Sequence, residues 1–511
     1  MKWNRTSIFI LVFISLIVAA APGFGQKEQT ETELKQYLDT EEAVYENICI
    51  EMGTARWSEY SGEGKADVVT PRKHFAELFG DSMLNETIDT WYAKKDRIVD
   101  PVLKRRVTEW HNILMGAKID FDPEVLSLVN QIEAVLGEDT SKTDRATEKD
   151  KEKMIMKLVR LRNQKARQYG FHNYVEMVFQ VSELGYDWLN KFIKTVDRKT
   201  EAPYRALVKN YKKKEKKTEI GFDDMKALNG RLQIAAISPK FTEDKMMALM
   251  KETLNNIGTD YDLLPMRIVT RMLPGGMGGN GLAIRIPDDF RVVIIPELRL
   301  GGRMHELGHG LQWMNTTIPY PVLKGYEWTT GNSCAAFQEG MADVGAKFVQ
   351  NDEWLKKHAE VTDEDLKARK EALRTYAPGY MRWQLLGAII ELEMYKNPEQ
   401  DLKALAKTIA KKILLLNKPM DPDFLSGMYY IFVNYPLYLQ NYLIGDAIGW
   451  QVHQTLAEKF GKDYFLNKEV IGFLKKNLYE DGELYSWQVR LKRATGKELD
   501  VEAFLKERIR K

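Results

Sequence analysis

His305 and His309 stand four residues apart in "GGRMHELGHGLQW", with Glu306 directly after the first histidine. On an α-helix, positions i and i+4 share a face, so both imidazoles can be aimed at one point. Glu306, one step round the helix, can reach a water at that point. H-E-x-x-H thus offers two neutral nitrogen ligands for a metal and a carboxylate placed to take a proton from the water beside it. The competing reading is a pair of histidines that merely pack on a helix face. It is weakened by scarcity, because the whole chain has only 7 His.

A hydrolytic zinc takes three protein ligands and keeps one position open. Two downstream glutamates compete for third place. Glu327 lies in the loop-like "KGYEWTTG", whereas Glu339 lies in the helical run "SCAAFQEGMADVGAKFVQ", with Asp343 one turn further on. A ligating carboxylate followed on the same face by an acid that accepts a ligand histidine's N–H suits a metal site, and favours Glu339. The apolar residues around this pair bury the helix, and buried acids need partners. Two imidazoles, one carboxylate and a water suit a single Zn2+.

The elements that must carry these residues read as mainly α. From Glu31 to about Gly258 the apolar period is helical, with breaks at "SGEG", "GEDTSKTD" and "EIGFDD". "KLVRLRNQKARQYGFHNYVEMVF" reads as a helix, a turn at Gly170 and a second helix. Near Pro274 the texture changes to the glycine loop "LPGGMGGNG", then "LAIRI", "PDD" and "FRVVIIPEL", a β-hairpin leading straight into the histidine helix. That hairpin could pair with an extended peptide backbone or simply support the helix. No internal repeat or long linker divides the chain.

"HELGH" followed by "GNSCAAFQEGMADV" resembles the zinc signature of the angiotensin-converting-enzyme family, and its "GNS…F.E" phrase is similar to the thimet-oligopeptidase family. The resemblance implies a gluzincin peptidase: two helical lobes around a deep channel, with zinc at its floor. It implies His305, His309 and Glu339 as ligands, Glu306 as general base and Asp343 as support for His305. "LRNQKARQYGFHNY" is similar to a recurrent helix-turn phrase of such oligopeptidases. "NYPLYLQNYLIGDAIGWQVHQTL" resembles the segment whose tyrosine hydroxyl faces the scissile carbonyl, which implies Tyr442, with Tyr435 as second choice for substrate contact. Tyr435 and Tyr438 are expected on about the same helix face as Tyr442, as catalytic donors or as a packed aromatic stripe. These families also have a histidine shortly before that tyrosine, and the converting enzymes a lysine for the substrate's C-terminal carboxylate. "GMYYIFVNYP" has neither, so strict release of C-terminal dipeptides does not follow.

The whole chain sets bounds on these readings. At 511 residues, with 44% hydrophobic and 29% charged residues, it is long enough for a large core divided into two lobes. Lys+Arg (75) nearly balances Asp+Glu (73), which gives no electrostatic basis for a nucleic-acid partner. "YKKKEKKTE" interleaves acid with base and reads as a solvated helix face or loop. The basic "MKWNR" and the apolar stretch from Ser7 to Ala21 read as a secretory signal over residues 1–25, followed by a peptidase domain over 26–511. The apolar stretch falls short of the roughly 18 residues of a membrane anchor. The mature chain is therefore expected to be exported, periplasmic or extracellular, without membrane insertion. Cys49 and Cys334 could pair there, but two buried free thiols are favoured, and neither is a candidate nucleophile.

The expected function is a zinc peptidase of peptidyl-dipeptidase or oligopeptidase type acting on oligopeptides. Its rivals are a zinc aminopeptidase, whose Gly-x-Met-Glu-Asn loop "GGMGGN" matches poorly because Gly278 replaces the acid, and a catalytically inactive peptide-binding protein of the same fold. The intact Glu306 speaks against the latter.

Overall fold

A computed structural model of the chain describes residues 29–137, 147–273, 277–418 and 423–509. The signal segment expected over residues 1–25 lies outside the described residues, as do 274–276 of the glycine loop. Internal contacts define two compact units that adjoin in sequence at Glu41 and Glu42, and every residue of the candidate site lies in the second. Among the described residues no helix is long and apolar enough to cross a membrane.

The mainly α expectation holds, and the breaks fall where turn chemistry places them. Helix α1 (Glu31–Ser61) ends at "SGEG", where Gly62 and Gly64 take φ of +72° and +77°. Helix α2 (Pro101–Asp120) starts on Asp100, whose carboxylate accepts from the Val102 and Leu103 amides ahead of a proline in the first turn. Helix α3 (Glu148–Gln168) starts on Thr147 and stops before the turn at Gly170, after which α4 (Tyr174–Val181) begins on Asn173. The basic run from Tyr211 closes a helix, Tyr186–Glu215, and turns away through Lys216 in the left-handed region.

The hairpin forms as expected: β2 (Gly279–Arg285) pairs antiparallel with β3 (Asp289–Ile294). A third strand, β1 (Met266–Thr270), runs parallel to β3 and gives the order β1-β3-β2. Its sequence, "MRIVT", carries β-branched residues but is too short to stand out from the loops around it. Its place beside β3 leaves β2 at the sheet edge.

Beyond the sheet come α5 (Leu300–Met314), which carries the histidines, and α6 (Ala335–Phe348), which carries Glu339 and Asp343. They are followed by α7 (Asp363–Lys396), α8 (Asp423–Asn434) and α9 (Gln440–Phe460). Helices α5, α6 and α9 pack almost backbone to backbone, because glycines stand at the crossings. A Cβ on Gly345 would lie 2.3 Å from the Met304 carbonyl oxygen, and one on Gly445 would lie 2.7 Å from Glu339 Cβ. Cys49 and Cys334 are both buried free thiols.

Candidate metal and catalytic site

One helical turn on α5 brings the His305 and His309 rings to 5.2 Å between centroids, nearly perpendicular to each other. Helix α6 crosses beneath and delivers Glu339, so that one donor atom from each of His305, His309 and Glu339 lies within 4.8 Å of the others. Glu327, weighed as an alternative third ligand, is not in this group. It sits in the loop before α6 and is open to the same cavity.

Burial and neighbouring charges hold His309 neutral and Glu339 ionised, whereas the acids around His305 favour its protonation. His305 Nδ1 lies 3.1 Å from Asp343 Oδ1. A carboxylate cannot donate, so Nδ1 carries the proton, and Nε2, 3.2 Å from Glu339 Oε2, is the nitrogen that faces the trio. Burial opposes charge on the His305 ring, but bonds to Asp343 and Glu339 outweigh it and raise its affinity for a second proton, so metal and proton compete for Nε2. His309 is buried, stacked on Trp313 at 5.5 Å, and its Nδ1 has no hydrogen-bond partner. Burial pulls its pKa down to about 4, which keeps it neutral and its lone pair available. Glu339 is 4% exposed; burial acts to raise its carboxyl, but His305, His309 and the Tyr438 hydroxyl, donating at 2.5 Å, hold it below the usual range. Two imidazoles and one carboxylate within reach of a single point fit a divalent metal of zinc's preferences.

Glu306 projects from α5 toward β2. Gly279 makes room for it, since a Cβ there would lie 2.6 Å from Glu306 Oε1. Desolvation and the nearby Glu339 push its carboxyl up to about 7, against the pull of His305 and a hydrogen bond from the Gly281 amide. A carboxyl near neutrality gives and takes protons with equal ease. Desolvation, followed by the Glu339 and Glu306 charges, lifts Glu327 to about 8.

These groups line one cavity of about 580 Å³, whose wall includes the β2 edge from Gly279 to Ala283 and the segment from Tyr430 to Tyr442. The structure brings Tyr435, Tyr438 and Tyr442 to that wall but corrects their expected placement. Only Tyr442 is on α9; Tyr435 and Tyr438 belong to the turn between α8 and α9, since Leu437, with φ +59°, breaks the helix between them. The rings nevertheless follow one another, with centroids 5.9 Å apart from Tyr435 to Tyr438 and 5.5 Å from Tyr438 to Tyr442. Tyr442 is 36% exposed, and burial of its hydroxyl, with Glu339 and Glu306 nearby, keeps it protonated well beyond the ordinary range.

Two buried ionisable side chains that local sequence pattern did not reveal hold the tyrosine turn. Arg162 of α3 donates to the Phe432 and Val433 carbonyls at 3.1 and 2.8 Å, closing the end of α8. Glu391 of α7, 1% exposed, accepts the Leu437 amide at 2.8 Å. Neither stands near the tyrosines in sequence, and each reads locally as one more charge on an amphipathic helix.

No protein-family model matches the sequence, and no curated protein does. Solved structures do. The M32 carboxypeptidase of Deinococcus radiodurans superposes with TM-score 0.67 at 16% identity, covering 93% of this chain and 97% of its own. The chain shares its fold with metallopeptidases. Trypanosoma cruzi metallocarboxypeptidase 1 gives TM-score 0.68 at 13% identity, over 93% of this chain and 100% of its own. An oligoendopeptidase F, assigned as putative, from Bacillus anthracis gives 0.63 at 14%, over 99% and 96%. At such identities the likeness is one of fold.

Proposed function

We propose that the chain is a zinc-dependent peptidase that hydrolyses oligopeptides. The observation that carries this reading is the convergence of His305, His309 and Glu339 donors within 4.8 Å, beside Glu306, in a single cavity. His305, His309 and Glu339 are the ligands, and Asp343 orients His305. When bound, the zinc supplies Lewis acidity to a water and to the peptide carbonyl. Glu306 takes a proton from the attacking water and passes it to the leaving amide nitrogen, a double duty that suits a pKa of about 7. Tyr442, protonated and open to the cavity, donates to the carbonyl oxygen as negative charge grows on it. Tyr438 is committed to Glu339 and holds that carboxylate in place, while Tyr435 flanks the substrate path. Among the described residues β2 is an edge strand, and its residues Gly279 to Ala283 line the cavity, which supports binding of an extended peptide by main-chain hydrogen bonds.

The finer reading is release of short C-terminal pieces by an exported enzyme. Neighbours of carboxypeptidase fold and the apolar stretch from Ser7 to Ala21 support it. Digestion of a mixture of unmodified peptides, read by mass spectrometry, tests both levels. Glu306→Gln is expected to lose at least about 100-fold in rate while retaining zinc. Single residues, dipeptides or internal fragments among the wild-type products distinguish carboxypeptidase, peptidyl-dipeptidase and oligopeptidase. Absence of any cleavage by zinc-loaded wild type would favour the inactive peptide-binding protein.

A further inference from the structure

Charge does not stop at Asp343 behind the histidine. Asp343 Oδ1 faces His305 at 3.1 Å, and its Oδ2 accepts from Lys347 Nζ at 3.4 Å. Lys347 makes its shorter bond, 2.6 Å, to Asp446 Oδ1 on α9. The same oxygen accepts from Arg508 at 2.5 Å, at the end of α10 (Val501–Arg508). One ammonium thus serves two carboxylates, and one of those carboxylates serves two cations. Lys347 and Asp446 are only 12% and 8% exposed in their side chains, so solvent screens these contacts weakly. Gly449 fixes the approach, since a Cβ there would meet Asp343 Cβ at 2.8 Å and Lys347 Cε at 3.2 Å.

An ammonium is a compact point charge on a flexible stem, so its position follows whichever carboxylate attracts it more. We propose that Lys347 sets the metal affinity of the site by dividing its charge between Asp343 and Asp446, and that Arg508 biases this division from the C-terminal helix. The inference rests on reading His305, His309 and Glu339 as the metal ligands. Because Arg508 shares Asp446 Oδ1, Asp446 draws Lys347 less strongly than it would alone, and the part of the ammonium's charge left to Asp343 weakens it as an acceptor for His305, which makes the ring a poorer donor to the metal. Loss of Arg508 leaves Asp446 to draw Lys347 away, and Asp343 regains its hold on His305. Loss of charge at Asp446 releases Lys347 wholly to Asp343. Lys347, Asp446 and Arg508 are therefore positioning residues, and the last two act with opposite sign.

The test is the Zn2+ dissociation constant of the full chain, stripped of metal and titrated against a chromophoric chelator. Asp446→Asn is expected to weaken zinc binding about tenfold, and Arg508→Gln to tighten it severalfold. In a Lys347→Met background both effects are expected to shrink below about twofold, which is the coupling a double-mutant cycle measures. Simple through-space charge gives the same signs but survives in that background, so survival overturns the proposal. Shifts of the two variants in the same direction overturn it as well. If Asp446→Asn does not fold, the sign for Arg508→Gln and its loss in the Lys347→Met background still decide. Wild type that binds no zinc sinks the metal reading itself, whereas a zinc-binding wild type with unmoved variants sinks only the division of Lys347.

Discussion

At the scale of single residues, the site is a set of protonation states enforced by burial. Glu306 near 7 and His309 near 4 follow from desolvation acting in opposite directions on an acid and a base. Glu391 offers the cleanest view of the same physics, because it lies outside the ligand set. Burial lifts its carboxyl from 4.5 to about 8, against the amides of the tyrosine turn and Arg162. Between those two values the folded chain keeps a proton that the unfolded chain has released. The contribution of Glu391 to stability is therefore full below about 4.5, falls as pH rises, and reaches its minimum above about 8. Glu391→Gln keeps an oxygen for the Leu437 amide but cannot ionise. Its melting temperature is expected to gain on wild type steadily as pH rises through this window; melting curves that stay parallel would remove the shift from the account.

Residue-level chemistry was also the most legible part of the sequence. The spacing in "HELGH" places two imidazoles on one face whatever the surroundings, and Glu339 with Asp343 repeats the same helical argument. Tyr438 was visible only as part of an aromatic stripe. Its bond to Glu339 depends on a non-helical turn at Leu437, and no periodicity in "NYPLYLQNY" reveals a non-glycine residue with positive φ. Glu391 and Arg162 left no local trace, since their partners are backbone groups on elements remote in sequence.

At the scale of elements, glycines set the distance between the helices that carry the proposed ligands. Gly308 and Gly345 let α5 and α6 meet at the backbone, while Gly445 and Gly449 do the same for α9 under Glu339 and Asp343. These glycines look like ordinary helix weaknesses in sequence, and only the crossings give them a purpose. Gly445→Ala places a methyl 2.7 Å from Glu339 Cβ and 2.9 Å from the Gly340 amide nitrogen. Overpacking of this kind costs about 1–3 kcal/mol, and here the strain falls on Glu339, a proposed ligand. The expected result is a lower melting temperature together with weaker zinc binding in a chelator competition. Gly472→Ala, inside the helix Val470–Leu474 where a Cβ meets nothing within 4 Å, is the matched control and is expected to hold or raise the melting temperature and to leave zinc binding unchanged. Equal behaviour of the two variants would separate helix spacing from the site. The hairpin was readable from alternating apolar residues, but the sheet order was not, because pairing of β1 with β3 is a long-range choice.

At the scale of the whole molecule, a near-neutral chain of 75 basic and 73 acidic residues encloses a cavity where Glu306, Glu327 and Glu339 repel one another. His305 and His309 line the same cavity, and one divalent ion would relieve that repulsion while completing the donor set. On the proposed function, one zinc, held by His305, His309 and Glu339, is needed for peptide hydrolysis. The direct measurement is the cleavage rate of an unmodified peptide as zinc is added back to metal-stripped protein. The rate is expected to start near zero, rise in proportion to added zinc and level off at one equivalent, with Glu339→Gln requiring a large excess. Full cleavage by the stripped protein, or none at any zinc level, would contradict the account.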